Sequence, residues 1–221
     1  MTNAVVKANL LRLTKEIVPY TPRIVAVTKY YGIEAILDAY EAGLRNFGES
    51  RANDAVAKME RLPDEVRKNS FFHFIGHLQT NKADKVVKHF DCIQSVDSLR
   101  LAKIISESAK KLGKVQNILL QVNISEELQK FGFKKDELKE DIDELKKLDS
   151  VKINGLMCMA PLGADDAELD RVFSTAKRLF DELNKDNELQ MSELSMGMSD
   201  DYKRAVANGA TMIRVGRLLF N

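Results

Sequence analysis

Short β-rich runs alternate with longer amphipathic stretches from one end of this chain to the other. Eight of the runs have the length and the apolar, β-branched content of buried strands. The stretches between them carry apolar residues at helical spacing, a pattern typical of βα units around a parallel sheet. In chain order, the predicted strands are "RIVAVTK", "LRNFGE", "FFHFIG", "DCIQSV", "NILLQVNI", "KINGLMCMA", "SELSMG" and "TMIRVG".

Two architectures are built from such units: a closed (β/α)8 barrel and an open, doubly wound sheet. Eight units in 221 residues leave about 25 residues each, which suits a barrel with short loops. The glycine signatures of nucleotide-binding open sheets, G-x-G-x-x-G and G-x-x-x-x-G-K-[ST], do not occur. The sequence therefore predicts an α/β fold in which residues 1–221 form a single (β/α)8 TIM barrel domain. An extra helix, from Asn3 to about Val18, is expected before the first strand.

Four residues are expected to mark the ends of helices. Gly43 and Gly113 follow helical stretches and suit the position after a last helical turn. Asp97 lies where an N-cap would precede "SLRLAKIISESAKKLG", and Ser199 is in position to cap "DDYKRAVANG".

Charge and cysteine content argue against several classes of protein. The 34 Lys and Arg residues nearly cancel the 33 Asp and Glu residues, so the chain lacks the basic field of a dedicated nucleic-acid binder. Charged residues interrupt the N-terminal segment, and no run approaches the roughly 20 apolar residues of a membrane span. Cys92 and Cys158 lie far apart in apolar runs and are expected to be buried, reduced thiols. We expect a cytoplasmic protein without nucleic-acid or membrane partners.

The predicted strands end in polar residues, at the end of a barrel where active sites lie. Period-two alternation places Val25, Val27 and Lys29 on one face, so Lys29 points inward if the valines do. The histidines have no set of Asp, Glu or Cys residues to complete a metal site, and no metal is expected. Further polar residues of the strands and their ends are Asn46, His73, Asn123 and Arg214.

Two glycine-containing loops near the C-terminus suit an anion. "SMGMSDD" (195–201) enters a helix, and "RVGR" (214–217) ends the last strand. Loops after strands seven and eight are where barrels commonly bind phosphate. A phosphate-binding site beside an inward-facing lysine indicates a ligand that carries both a phosphate and an aldehyde and is held as a Schiff base. Pyridoxal 5′-phosphate is such a ligand.

The neighbouring arginine would shape the chemistry of that ligand. A Schiff base forms from a neutral amine, and an apolar strand and a nearby cation such as Arg214 both favour that form of Lys29. Opposite the pyridine nitrogen, Arg214 has no readily lost proton, and its charge disfavours protonation of the ring. The ring is then a weak electron sink, poorly suited to stabilise a carbanion.

Across these residues the chain closely resembles the pyridoxal-phosphate homeostasis proteins, relatives of the alanine racemase N-terminal barrel. The matching stretches span nearly the whole chain and occur in the order found in the family. They are "AVTKY", "NFGESRAND", "HFIGHLQTNK", "QVNISEELQKFGF", "GLMCMAP", "LSMGMSDD" and "IRVGRLLF".

The resemblance implies a barrel that binds pyridoxal 5′-phosphate and hands it on, maintaining vitamin B6 and amino-acid/keto-acid balance without an established reaction of its own. Apo-enzymes that use the cofactor are the implied acceptors. The resemblance places the Schiff base on Lys29. It places Arg214 at the pyridine nitrogen and Asn123 at the same end of the barrel. The implied phosphate contacts are Ser195, Gly197, Ser199 and the backbone of Gly216 and Arg217, with Asn46 and His73 lining the ring pocket. Met198 is expected to touch the ligand because it lies beside Gly197.

Three positions depart from the family pattern. Ser50 stands where Asn is usual, Phe72 where Trp is usual, and Arg217 where Thr is common. Arg217 is expected to offer the phosphate a charge-assisted contact in place of the threonine hydroxyl.

A racemase-type enzyme is the alternative function. Racemisation needs a base on each side of the substrate α-carbon, and the related racemases take the second from a partner subunit and an extra β-domain. The sequence stops at Asn221, after the eighth strand, without residues for that domain. We therefore predict a non-catalytic, monomeric cofactor-binding protein.

Overall fold

A computed structural model of the chain describes residues 2–125, 127, 131–186 and 189–221. Eight parallel strands pair in chain order, and β8 closes on β1 to form a barrel. The predicted TIM barrel is thereby confirmed. The strands are β1 (Arg23–Val27), β2 (Asn46–Glu49), β3 (Phe71–Phe74), β4 (Cys92–Val96), β5 (Gln116–Gln121), β6 (Val151–Met157), β7 (Glu193–Ser195) and β8 (Met212–Val215).

Helices surround the barrel and connect its strands. α1 precedes β1, as predicted, and α10 follows β8. The helices are α1 (Asn3–Glu16), α2 (Ile33–Glu41), α3 (Ala52–Met59), α4 (Asp64–Lys68), α5 (Ala83–His89), α6 (Leu99–Lys111), α7 (Lys135–Lys146), α8 (Asp166–Asp186), α9 (Tyr202–Ala207) and α10 (Arg217–Phe220), with a 3-10 turn at Thr80–Lys82.

Side chains of the strands alternate between two environments. One set packs against the helices in a continuous core that includes Phe47, Phe72 and Ile213. The other set fills the barrel, where Cys92, Leu119 and Met157 form a small separate apolar cluster. The remaining buried polar residues of the strands include His73, Gln94, Ser195 and Arg214.

The helix ends agree with the sequence at the glycines and differ at the caps. Gly43 and Gly113 have φ angles of 98° and 63°, the left-handed conformation that ends a helix. The N-cap of α6 is Ser98 rather than Asp97, since the Ser98 hydroxyl accepts from the Leu101 amide. Ser199 does not cap α9, which begins only at Tyr202.

Cys92 and Cys158 are both buried free thiols, as predicted. Burial raises the pKa of the Cys92 thiol far above its usual value, so it is inert at neutral pH. Within the described part of the chain, no helix has the length and apolar character needed to cross a membrane.

Candidate functional site

Lys29 lies in a tight turn at the carboxyl end of β1. The Tyr31 amide donates to the Thr28 carbonyl at 3.0 Å, so Lys29 and Tyr30 are the central residues of the turn. The Lys29 side chain is partly exposed, and its Nζ lies 4.9 Å from the centroid of the Tyr30 ring. Because β1 ends at Val27, strand alternation does not set the direction of Lys29; the turn does.

The loop after β8 approaches β1 closely. Val25 is in register with Arg214, and Ala26 with Val215. A Cβ on Gly216 would lie 3.0 Å from the Val27 carbonyl oxygen, a gap in which only glycine fits comfortably. The Lys29 turn and the Gly216 loop therefore lie side by side at one end of the barrel.

The Arg214 guanidinium is buried and held in a fixed orientation. Its Nη1 donates to the Ser195 carbonyl at 2.9 Å and to the Ser195 Oγ at 2.7 Å, and its Nη2 donates to the Cys158 carbonyl at 2.9 Å. Burial lowers the pKa of Arg214, but a guanidinium remains charged in proteins. The result is a rigid cation inside the barrel.

A chain of hydrogen bonds leads from Arg214 across the barrel interior. The Ser195 hydroxyl donates to Gln94 Oε1 at 2.7 Å, and Gln94 Nε2 donates to His73 Nδ1 at 2.9 Å. His73 must then carry its proton on Nε2, which lies 3.1 Å from Asn46 Oδ1 and donates to it. The chain thus links residues of five strands, and it fixes the position of Ser195, which in turn bonds Arg214.

The ring-pocket role expected of Asn46 and His73 stays a prediction. Asn46 begins β2, where its neighbour Phe47 is in register with Ala26, so Asn46 lies level with Arg214 and deeper in the barrel than Lys29. His73 is 1% exposed and bonds to Asn46 and Gln94. Both residues belong to the chain of hydrogen bonds that begins at Arg214. Gln94 was missed because a glutamine inside the apolar run "DCIQSV" has no distinguishing motif.

His73 makes stability sensitive to acid. Burial lowers the pKa of His73 to about 3, from an unfolded value near 6.5, so the unfolded chain binds this proton more readily. The contribution of His73 to stability is full above about pH 6.5 and falls as the pH drops toward 3, by up to about 1.4 kcal/mol per pH unit. We expect His73→Gln to lose less stability than the native protein between pH 7 and pH 5, measured by urea unfolding. An equal loss in both proteins would contradict this.

Of the residues predicted to bind phosphate, Gly197, Ser199 and Gly216 lie in the loops after β7 and β8, while Ser195 ends β7 and Arg217 begins α10. The Gly197 carbonyl accepts from the Arg214 amide at 2.9 Å, which joins the two loops. Met198 is exposed and Ser199 partly so. In the described chain, the amides of Ser199 and Asp200 have no hydrogen-bond acceptor, so they are available to an anion.

Two of the predicted phosphate contacts have other partners. Ser195 is fully buried, and its hydroxyl is used by Gln94 and Arg214. The Ser195 hydroxyl thus helps to hold Arg214, and a contact from Ser195 to a phosphate stays a prediction. Arg217 is exposed and forms an ion pair with Asp200, so any contact from Arg217 to an anion would compete with that pair.

Gly197 is required by the conformation of its loop. Its φ is +92°, and a Cβ would lie 2.5 Å from the Ala205 Cβ. We expect Gly197→Ala to lower the free energy of unfolding by about 2 kcal/mol or more. Gly163→Ala is the control, because Gly163 has φ +75° but open space around it. Urea unfolding should show the smaller loss for Gly163→Ala; equal losses would mean that the contact with Ala205 costs nothing.

Asn123 holds the loop after β5. Its amide donates to the Phe133 carbonyl at 2.9 Å, and its side-chain Nδ2 donates to the Glu127 carbonyl at 2.8 Å. The motif "QVNISEELQKFGF" lies partly outside the described residues, at positions 126 and 128–130.

Two residues that differ from the family pattern, Ser50 and Phe72, lie in different surroundings. Phe72 faces the helices, with its ring centroid 5.5 Å from that of Phe47. A Cβ on Gly76 would lie 2.3 Å from the Ser50 carbonyl oxygen, so the loops after β2 and β3 touch here. The Phe72 position is thus remote from the barrel interior.

Together, these elements place a primary amine, a fixed guanidinium and a loop with free amides at one end of a β/α barrel. Such a set can hold an anionic ligand that carries an electrophilic carbon.

The model of the alanine racemase N-terminal domain family matches residues 3–221. Proteins called pyridoxal phosphate homeostasis protein are similar to the chain over most of its length. That of Synechocystis sp. is 44% identical over 202 residues, 91% of this chain and 92% of the relative. That of Pseudomonas aeruginosa is 36% identical over 202 residues, 91% and 85% of the two chains. The chain belongs to the alanine racemase N-terminal domain family and, within it, to the pyridoxal phosphate homeostasis proteins.

Solved structures agree with this assignment. PipY of Synechococcus elongatus, solved with PLP bound, has 40% identity and a TM-score of 0.88, with 98% of this chain and 100% of PipY covered. The alanine racemase of Clostridium difficile has a TM-score of 0.77 at 16% identity, with 98% of this chain and 56% of the racemase covered, which shows a shared fold.

Proposed function

We propose that the protein binds pyridoxal 5′-phosphate and buffers or delivers it, maintaining vitamin B6 and amino-acid/keto-acid balance without catalysing a reaction. The observation that carries the proposal is the juxtaposition of the Lys29 turn, the Gly216 loop and Arg214 at neighbouring strands β1 and β8. PipY with PLP bound and the names of the relatives support the same ligand.

The residues present fit this cofactor. Lys29 supplies the amine: its nitrogen bonds to the aldehyde carbon as C=N, and the aldehyde oxygen leaves as water. Gly197 and Gly216 let the two loops pack closely against Ala205 and Val27, where a Cβ would clash. The free amides after Gly197 suit the phosphate. When bound, pyridoxal phosphate supplies an aldehyde and an electron-accepting ring.

Arg214 favours storage over catalysis. Its guanidinium is held by the Ser195 and Cys158 carbonyls and by the Ser195 hydroxyl, so its charge cannot move away when a ligand binds. Opposite a pyridine nitrogen, a fixed positive charge opposes ring protonation. Without that proton the ring withdraws electrons weakly, and Lys29 acts as an anchor rather than as a base at a substrate carbon.

A purified sample tests the proposal. Protein supplied with pyridoxal phosphate should be yellow and keep the colour through gel filtration. Loaded protein should also restore activity to an apo-enzyme that requires the cofactor. A colourless protein that ignores added cofactor would refute binding. Racemisation of an amino acid at a rate typical of enzymes would favour the racemase alternative instead.

Cytoplasmic location and a monomeric state remain predictions. Gel filtration with light scattering measures the second directly.

A further inference from the structure

The turn that carries Lys29 is held by a buried ion pair that the proposed function does not use. Lys58, in the last turn of α3, donates from Nζ to the Thr28 carbonyl at 2.9 Å and to the Tyr31 carbonyl at 3.2 Å. Its third bond goes to Glu49 Oε1 at the end of β2. An ammonium has three donors, and all three of them are used here.

The two carbonyls are those of the first and last residues of the turn. Lys29 and Tyr30 lie between them, so one ammonium group joins both ends of the segment that presents the Lys29 amine. The Thr28 side chain strengthens the link, because its hydroxyl donates to Glu49 Oε1 at 2.7 Å. Thr28 is fully buried, and its amide donates to the Gly48 carbonyl at 3.0 Å.

The buried Lys58–Glu49 ion pair is an inefficient way to stabilise the fold, because burying two charges costs free energy. The Glu49 side chain is 1% exposed and that of Lys58 is 12% exposed, so both charges are largely removed from water. Glu49 Oε2 has no hydrogen-bond partner among the described residues. Buried ion pairs usually gain little over an apolar packing of the same volume, so this pair points to a role in positioning.

We propose that Lys58 is a positioning residue. Oriented by Glu49, it fixes the turn from Thr28 to Tyr31 and thereby the direction in which Lys29 presents its amine to the cofactor aldehyde. This inference rests on the proposed function of Lys29 as the covalent anchor.

Lys58→Met tests the inference, since methionine keeps much of the side-chain length and removes the ammonium. We expect the variant to remain folded and to release pyridoxal phosphate about tenfold faster than the native protein. The midpoint of the pH titration of its Schiff-base absorption band should move by more than about half a pH unit. Lys58→Arg, which keeps the charge and the donors, should recover much of both properties.

Lys114→Met is the matched control. Lys114 also donates to two backbone carbonyls, of Val87 at 2.8 Å and of Phe90 at 3.3 Å, but it precedes β5 at the amino end of the barrel. It should lower thermal stability while the release rate and the titration stay native. If Lys58→Met fails to fold, Glu49→Gln replaces it, with the same changes expected to a smaller degree.

The outcomes separate this inference from the proposed function. If Lys58→Met and Lys114→Met lose stability alike and both keep native release and titration, the pair is structural and the inference is wrong. If the native protein shows no Schiff-base band, or Lys29→Ala keeps it, the function of Lys29 itself is refuted.

Discussion

Lys29→Ala abolishes the Schiff-base absorption band and weakens retention of pyridoxal phosphate about 100-fold or more, the effect expected when a covalent anchor is removed. A 100-fold loss corresponds to about 2.7 kcal/mol of binding free energy. The fold should persist, because Lys29 is partly exposed and lies in a turn outside the core. Absorption spectra and equilibrium dialysis measure the two losses.

Lys29→Arg is the informative control. It keeps the positive charge and most of the length of the side chain but has no nucleophilic amine at neutral pH. We expect it to lose the band as completely as Lys29→Ala. A band retained in Lys29→Arg would mean that another amine forms the bond.

Arg214→Glu is expected to have the second largest effect. A carboxylate opposite the pyridine nitrogen favours its protonation, so the pH titration of the Schiff-base band should shift relative to that of the native protein. The same change places an acceptor against the Ser195 and Cys158 carbonyls, where Arg214 now donates. We expect a loss of roughly 3–5 kcal/mol in the free energy of unfolding, measured by urea titration.

Arg214→Lys separates the two consequences. It keeps a positive charge with fewer donors, so it should lose some stability while the titration stays near native. An unchanged titration in Arg214→Glu would place Arg214 away from the ring.

Much of the fold was predictable because it depends on local periodicity. Each strand is a short apolar run and each helix an amphipathic one, and eight such units leave few ways to close a sheet. The helix caps were harder, since Ser98 and Asp97 are neighbours with similar capping ability. Which of two adjacent residues caps a helix is decided by backbone geometry.

The location of a candidate site residue was predictable where that residue follows a strand, as Lys29 and Gly216 do. The role of a residue was not predictable where its hydrogen-bond partners come from distant parts of the chain. Ser195 begins a sequence motif that suits a phosphate, but it is the last residue of β7, where its hydroxyl bonds Gln94 of β4 and Arg214 of β8. Lys58 lies on a helix face like many other lysines, and only the approach of α3 to the β1 turn shows its role.

Reduction of the loaded protein with borohydride, followed by peptide mapping by mass spectrometry, identifies the nitrogen that holds the cofactor. Reduction converts C=N to a stable C–N bond and leaves a pyridoxyl group on the nitrogen that held the cofactor. We expect that group on Lys29 and its loss in Lys29→Ala. A pyridoxyl group on a different lysine, or on none, would show that Lys29 does not anchor the cofactor.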